Sequence, residues 1–187
     1  MKKTRMNVAR ACAAGLLAAA ALPAAQAIDF TPDGYSLQAG GGESSTIAGA
    51  GVIWDWNFWR LRPKTELTAH TELMLNGWRA DDFSGGSRTY WQAVLLPTLR
   101  MRMGQGSSPW FLEVGIGASY MNHKLESPDK QFGTQWNFYD VLGAGYTFGG
   151  AFGHHELGLR LVHISNGGVK EPNPGQDFLQ VRYVHWF

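Results

Sequence analysis

Residues 110–122 read WFLEVGIGASYMN, and this stretch decides the fold. Leu112, Val114 and Ile116 alternate with Glu113 and with small residues, so that one face is apolar and the other is polar or small. Alternation with a period of two residues is the pattern of a β-strand rather than of a helix. The stretch therefore predicts a strand whose two faces meet different surroundings.

The same pattern recurs along most of the chain. Long alternating segments are separated by clusters of Gly, Pro, Asp and Ser, which are typical of turns. Eight such segments are present: Tyr35–Glu43, Ile47–Phe58, Lys64–Trp78, Thr89–Met103, Trp110–Asn122, Thr134–Phe148, His155–Ser165 and Asp177–Phe187. An even number of antiparallel strands can close on itself, as in bacterial barrels. The sequence thus predicts an all-β fold, an eight-stranded antiparallel β-barrel.

Alternation alone fits a soluble β-sandwich as well as a membrane barrel. Three features favour the barrel. The segments run for about 9 to 15 residues, long enough to cross a bilayer at a tilt. Trp54, Trp78, Trp91 and Trp110 lie toward segment ends, as the aromatic girdles of membrane barrels require. Residues 183–187, YVHWF, resemble the terminal aromatic signature of outer-membrane proteins. A transmembrane barrel in a Gram-negative outer membrane is expected.

The N-terminal residues have the features of a secretory signal peptide, which agrees with export to the outer membrane. Four basic residues and an apolar run over residues 11–22 precede the small-residue triplet Ala25-Gln26-Ala27. This arrangement predicts a signal peptide over residues 1–27, cleaved after Ala27, and one mature barrel domain over residues 28–187. Cleavage would remove the single cysteine and four of the sixteen basic residues, which leaves twelve Lys and Arg against fifteen Asp and Glu. This slightly acidic balance gives no sign of nucleic-acid binding.

The polar face carries charges of both signs. Its charged or titratable members are Asp55, Glu66, His70, Glu72, Arg100, Arg102, Glu113, Arg160 and Arg182. Side chains fill the interior of an eight-stranded barrel, so these groups are expected to pair there as a polar plug, which leaves no lumen for a transport pore. No cysteine or second histidine stands at ligand spacing from His70, which predicts an interior histidine and no metal site.

The connections predict an orientation. With both termini in the periplasm, the short links Trp59–Pro63, Gly104–Pro109 and Gly149–His154 are periplasmic turns. The longer links Arg79–Arg88, His123–Gly133 and Asn166–Gln176 are then extracellular loops. Short turns inside and long loops outside are typical of outer-membrane barrels.

A possible reaction centre lies where the seventh segment ends and the eighth begins. Leu157, Leu159 and Leu161 form the apolar set of the seventh segment, and the same parity directs His163 and Ser165 outward. Asp177 has the outward parity of the eighth segment. Because the two segments should pair antiparallel, we expect the three side chains to share one exterior patch at the extracellular end.

Serine, histidine and an acid have complementary roles in ester hydrolysis. Ser165 would be the nucleophile, His163 the base that accepts its proton, and Asp177 the group that orients the imidazole. Asn166, Asn173 and the amides of Gly167 and Gly168 are candidate donors to the developing oxyanion. Strict alternation sends the Asn166 side chain inward, so its part requires a bend at the two glycines.

Residues 163–175, HISNGGVKEPNPG, resemble the C-terminal signature of the outer-membrane lipid A 3-O-deacylases. The resemblance implies hydrolysis of the ester-linked acyl chain at the 3 position of lipid A, without metal or cofactor. It implies that Ser165 is the nucleophile and His163 the base, and it associates Asn166 and Asn173 with the oxyanion hole. The third member in the family is commonly Glu, whereas this chain has Asp177, whose shorter side chain requires the register or the imidazole to adjust.

The implied partners are lipid A or lipopolysaccharide in the outer leaflet and the outer membrane itself, with a homodimer as one option. Loop cations that could meet lipid phosphates are Arg79, Arg88, Lys124, Lys130 and Lys170. Two alternatives remain open on the residues alone. One is a non-enzymatic barrel that is adhesin-like or stabilises the membrane, and the other is a phospholipase-type acyl hydrolase on the same fold.

Overall fold

Eight antiparallel strands form a closed barrel in the computed structural model of the chain, which describes residues 30–61, 65–149 and 154–187. The strands are β1 (Gly34–Gly42), β2 (Ser45–Leu61), β3 (Glu66–Asp81), β4 (Ser87–Arg102), β5 (Trp110–Met121), β6 (Trp136–Phe148), β7 (His155–Ser165) and β8 (Gln176–Trp186). Each strand pairs with the next, and β8 closes the barrel on β1. The predicted eight-stranded antiparallel barrel is confirmed.

The observed strand bounds differ most from the predicted bounds at the connection between β3 and β4. The predicted loop from Arg79 to Arg88 shrinks to residues 82–86, because the pairs Ala80–Arg88 and Asp81–Ser87 continue the ladder. At the opposite end β2 extends to Leu61, into the predicted turn from Trp59. The predicted signal peptide lies outside the described residues, as do residues 150–153 of the predicted Gly149–His154 turn.

The two ends of the barrel have different connections. One end, called the loop end here, carries residues 82–86, 122–135 and 166–175 and a tight hairpin at residues 43–44. The other, called the turn end, carries the first residue of β1, the last residue of β8 and a short 3-10 turn at Gly104–Gly106. Among the described residues, no helix has the length and apolar character needed to cross a membrane.

The outer wall is apolar, whereas the interior contains many buried polar and charged side chains, unlike the core of a soluble protein. On β4 and β5, Leu99 and Ile116 are 50% and 70% exposed. Gln92 and Arg100, which lie on β4 and face the opposite side from Leu99, are 0% and 5% exposed. A continuous apolar outer wall suits lipid rather than water, so the burial supports the sequence-based choice of a membrane barrel over a sandwich.

The half of the interior near the loop end is an apolar cluster. Trp78, Tyr90 and Met121 are fully buried there. The connection between β5 and β6 adds Leu125 and Phe132 to this cluster. Since these two residues come from a segment predicted only as a loop, the capping of the barrel by that segment is a feature that alternation did not predict.

The half of the interior near the turn end is an ion-pair network, which confirms the predicted pairing of interior charges. Arg160 binds Glu113 at 2.7 Å and Glu72 at 3.0 Å. Arg100 joins Glu113, at 2.9 Å, to Glu156, at 2.7 Å. Glu156 was not in the predicted set. The remaining predicted members lie as follows: Arg102 pairs with Glu156, Arg182 pairs with Glu72, His70 and Glu66 are buried, and Asp55 is half-buried.

Candidate active site

His163 and Asp177 meet on the outer wall at the loop end. They are direct partners in the ladder between β7 and β8, and His163 Nδ1 lies 2.6 Å from Asp177 Oδ1. The side chains are 47% and 80% exposed. The shorter acid thus reaches the imidazole without a shift in strand register. With the Nδ1 proton directed at the carboxylate, Nε2 is left as the acceptor.

Ser165 departs from the expected exposure. It is the last residue of β7 and has outward parity, yet it is only 9% exposed. The chain folds back over it, because Gly167 and Gly168 have φ values of 65° and 77°, and Gly167 packs against the ring of Phe138, the ladder partner of Ser165. Within the described residues no hydrogen bond joins its hydroxyl to His163. Catalytic hydrogen bonds are often long without substrate.

The segment from Asn166 to Gly175 is held by its own side chains. The Asn166 amide N–H donates to Asn173 Oδ1 at 2.9 Å, and Asn166 Nδ2 donates to the Lys170 carbonyl at 2.6 Å. Gly175, with a φ of 72°, places its backbone against the imidazole of His163, where a Cβ atom would lie 2.7 Å from Cε1. This segment therefore forms one ordered wall beside His163 and Ser165.

The loop between β5 and β6 braces that wall. The Gly133 amide N–H donates to the Pro172 carbonyl at 2.7 Å. A Cβ atom on Gly133 would lie 2.6 Å from the Lys170 carbonyl oxygen and 2.7 Å from that of Glu171. Only glycine allows this approach. The position of Asn173, which follows Pro172, thus depends on a neighbouring loop.

The candidate oxyanion donors fall into two groups. The Gly168 backbone N–H donates to Asn166 Oδ1 at 3.0 Å. Asn166 donates its backbone N–H to Asn173 and its side-chain Nδ2 to the Lys170 carbonyl, so both of its donors are used within the loop. By contrast, the Gly167 amide N–H and Asn173 Nδ2 donate no hydrogen bond within the described residues. Asn166 is 3% exposed, so the bend at the two glycines leaves it buried in a structural role.

Asp140 is a residue of the site that sequence reasoning missed. It is the direct ladder partner of His163 on β6, as Asp177 is on β8, and it lies half-exposed on the same outer wall. His163 is therefore flanked by a carboxylate-bearing residue on each neighbouring strand. The sequence contains a signal for this residue: Asp140 is an acid within the outward-facing set of β6, which is otherwise apolar here, with Phe138 and Leu142 on either side of it.

An apolar groove extends along the outer wall from His163 and Asp177. It has a volume of about 1100 Å³ and crosses several strands. Its exposed apolar lining includes Leu99, Ile116, Leu142, Leu161 and Leu179. The polar side chains at its edge and the apolar wall below them form an amphipathic surface, which is suited to a molecule that joins a polar head to hydrocarbon chains.

The predicted headgroup cations are not equally available. Lys130 pairs with Glu43 at 3.3 Å, Arg88 lies 3.9 Å from Glu126, and Arg79 donates to Ser87 Oγ. Lys124 and Lys170 are exposed and make no ion pair within the part of the chain that the structure describes. Lys170 belongs to the segment that carries Asn166 and Asn173, which places a cation beside the candidate reaction centre.

Comparison with known proteins gives concordant matches. The family model described as lipid A 3-O-deacylase (PagL) matches residues 47–186. The chain is 34% identical to lipid A deacylase PagL of Bordetella bronchiseptica over 139 residues, 73% of this chain and 71% of the relative. It is 27% identical to lipid A deacylase PagL of Pseudomonas aeruginosa over 143 residues, 76% and 79% of the two chains. A crystal structure of the outer membrane enzyme PagL matches with a TM-score of 0.70 and 25% identity, covering 82% of this chain and 99% of that one.

Proposed function

The chain belongs to the lipid A 3-O-deacylase family of outer-membrane enzymes, and from this premise we propose that it removes the 3-position acyl chain of lipid A with Ser165, His163 and Asp177. The assignment of residues rests on the 2.6 Å contact between His163 Nδ1 and Asp177 Oδ1. His163 precedes Ser165 by two residues on β7. Family membership argues against a non-enzymatic barrel.

The proposed reaction has two acyl-transfer steps. His163 Nε2 accepts the Ser165 hydroxyl proton while Oγ attacks the ester carbonyl carbon, and Asp177 stabilises the imidazolium that results. Collapse of the tetrahedral intermediate breaks the bond to the sugar oxygen, which takes the proton from His163. Water, deprotonated by the same imidazole, then attacks the acyl-serine ester. The products are a free fatty acid and a sugar hydroxyl, with Ser165 regenerated.

Two groups beside Ser165 are proposed to form the oxyanion hole. The Gly167 amide N–H and Asn173 Nδ2 are the candidate donors that the loop does not already use, whereas the Gly168 amide and Asn166 hold the loop together. Donors that are fixed before the reaction stabilise the developing charge without reorganisation. Asn166 and Gly168 thus act on the geometry of the hole rather than on the substrate.

The apolar groove is proposed to hold the acyl chain that is cut. Each buried methylene contributes about 0.8 kcal/mol when it leaves water. In the membrane that gain is largely absent because the chain leaves lipid, so the groove orients the ester rather than binding it tightly. At the loop end, which the predicted orientation makes extracellular, His163 then lies at the level of outer-leaflet headgroups, and Lys170 is placed to meet a phosphate.

Replacing Asp177 separates the role of its charge from that of its shape. We expect Asp177→Asn to lower kcat by about 10²- to 10³-fold with little change in KM, because the amide can favour the wrong imidazole tautomer. Because the Asp177 side chain is highly exposed, we expect a smaller loss of kcat than the loss of about 10⁴-fold seen when the buried acid of such a triad is changed to Asn. Asp177→Glu should retain most activity. Steady-state kinetics on lipid A in detergent would check both, and an Asp177→Asn variant as active as wild type would remove Asp177 from the mechanism.

Asp140 is proposed to add a second negative charge beside the imidazolium. We expect Asp140→Asn to lower kcat roughly tenfold, equivalent to about 1.4 kcal/mol of lost transition-state stabilisation. Asp82→Asn, in the β3–β4 loop, is the matched control and should leave kcat unchanged. If both variants lose activity equally, the effect comes from the general field of the barrel and Asp140 has no specific part.

Product analysis tests the function itself. The refolded protein is incubated with lipid A that carries distinct acyl chains at each position, and the products are mapped by tandem mass spectrometry. We expect loss of one 3-hydroxyacyl chain from the 3 position, with amide-linked chains and the 3′ ester intact. Release of fatty acid from glycerophospholipids with lipid A left intact would establish the phospholipase alternative instead.

The remaining sequence-based expectations concern assembly and processing. A homodimer stays a prediction, which sedimentation in detergent would test against the mass of one barrel. Cleavage after Ala27 also stays a prediction, and N-terminal sequencing of protein from outer membranes would test it. Neither affects the proposed reaction, because the groups named in it lie on β6, on β7, on β8 and in the connection between β7 and β8 of one barrel.

A further inference from the structure

A cluster of histidine and tyrosine side chains lies at the turn end of the outer wall, far from Ser165. His155 begins β7 and is the direct ladder partner of His185 on β8. Both side chains are half-exposed. From His155 to Ser165, β7 spans about 33 Å at the usual rise of a strand. The cluster is therefore separate from the proposed reaction centre.

The ring nitrogens of the two histidines converge. His155 Nδ1 lies 3.3 Å from His185 Nδ1 and 2.8 Å from the Tyr183 hydroxyl. A tetrahedral zinc ion bound to two imidazoles at about 2.0–2.1 Å holds their nitrogen atoms about 3.3–3.4 Å apart. The two nitrogens thus already have the spacing of one edge of a metal coordination tetrahedron, and the phenol oxygen lies beside them.

The surroundings hold the rings in place. His155 stacks on Phe148, with ring centroids 5.7 Å apart, and His185 packs against Tyr35 at 5.4 Å. The two histidines also sit on a continuous antiparallel ladder, so ordering them for a ligand costs little conformational entropy. A pair of imidazoles that is ordered, half-exposed and convergent can be reached by an ion from solvent.

We propose that His155 and His185 form a binding site for a divalent transition-metal ion such as Zn²⁺, with Tyr183 and water completing the coordination. Imidazole nitrogens suit Zn²⁺, Cu²⁺ and Ni²⁺, whereas Mg²⁺ and Ca²⁺ prefer oxygen ligands. No group of three or more His, Cys, Asp or Glu side chains lies together at metal-binding distances in the described part of the chain. The site is thus a two-histidine site of moderate affinity at the rim of the barrel, because His155 is the first residue of β7 and His185 the second-last of β8.

Binding would link β7 to β8 next to the seam of the barrel. His185 is also the ladder partner of Tyr35 on β1, the strand on which β8 closes. An ion that binds only the folded barrel stabilises it, and once the site is filled this stabilisation grows with the logarithm of the ion concentration. The consequence is a barrel whose resistance to unfolding rises with Zn²⁺ concentration while the reaction centre at the other end is unaffected.

The test uses the refolded, untagged barrel and Zn²⁺ alone. Calorimetric titration should show one saturable equivalent for wild type, and His155→Gln and His185→Gln should each weaken it at least tenfold. His154→Gln is the matched control, since His154 is exposed and adjacent in sequence but outside the converging pair; it should bind as wild type does. Deacylation of lipid A by every variant confirms that each barrel has folded.

A second measurement keeps the inference falsifiable. Added Zn²⁺ should raise the unfolding temperature of wild type and His154→Gln, and at the same concentration should raise that of His185→Gln by much less. Folded wild-type protein that binds no Zn²⁺ would show that the 3.3 Å contact is only a hydrogen bond between imidazoles and would overturn the proposal. Binding that survives in both His155→Gln and His185→Gln would place the ion elsewhere and overturn it equally.

Discussion

Replacing Ser165 with alanine is expected to lower the rate of lipid A deacylation by about 10⁴-fold or more, the scale seen when a nucleophile is removed from a Ser–His–acid set. The barrel should fold as before, because the Ser165 hydroxyl makes no hydrogen bond within the described residues and the change removes one small atom. Mass spectrometry of lipid A after incubation with each protein measures the rate, and heat-modifiable gel mobility reports folding.

Two controls make this result specific. Ser84→Ala removes a hydroxyl from the β3–β4 loop, where it donates a hydrogen bond to Asp82, and should leave the rate unchanged. A serine-directed phosphonate should label wild type and Ser84→Ala at one site and should not label Ser165→Ala. Turnover by a folded Ser165→Ala protein within tenfold of wild type would show that another group attacks the ester.

The parity of the seventh and eighth segments was enough to predict the meeting of His163 and Asp177. Both residues lie inside a regular ladder, where side-chain direction follows from position alone. Ser165 has the same parity but is buried, because the backbone leaves the ladder directly after it through two residues in the left-handed region. Side-chain alternation predicts the face of a residue only while the strand continues, so the burial of Ser165 could not be predicted.

The interior shows a related limit. Alternation separated inward from outward residues correctly, and the opposite charges named from it do pair. It could not predict that Leu125 and Phe132 enter the barrel from a loop, since that depends on the space above Trp78 and Tyr90 rather than on a local pattern. Asp140 is different. Its outward parity and charge were both present in the sequence, and only its place beside His163 required the register of β6 against β7.

The second large effect is expected from the interior network. Arg160 is 1% exposed and binds two carboxylates, Glu113 at 2.7 Å and Glu72 at 3.0 Å, which are themselves 3% and 0% exposed. Replacing Arg160 with methionine keeps much of the volume and removes one of the two arginine partners of each acid, since Glu113 also binds Arg100 and Glu72 also binds Arg182. Breaking a buried pair by deleting one partner costs about 3–5 kcal/mol, because an uncompensated charge is left in a medium of low dielectric.

Arg160→Met should therefore lower the free energy of unfolding in detergent by up to about that amount, since each acid keeps one arginine partner while the network loses one positive charge; denaturant curves of intrinsic fluorescence measure it. Arg79→Met, at the exposed loop end, is the matched control and should change it by less than about 0.5 kcal/mol. Adding Glu113→Gln to Arg160→Met should recover part of the loss, since the negative charge left in excess by the loss of Arg160 is then removed. Activity per folded barrel should stay near the wild-type value, because Arg160 points into the interior and Ser165 and His163 lie on β7 beyond it, toward the loop end.

If Arg160→Met unfolds with the wild-type midpoint, the network does not stabilise the barrel. If the double variant is no more stable than Arg160→Met alone, the loss does not arise from the excess negative charge at Glu113.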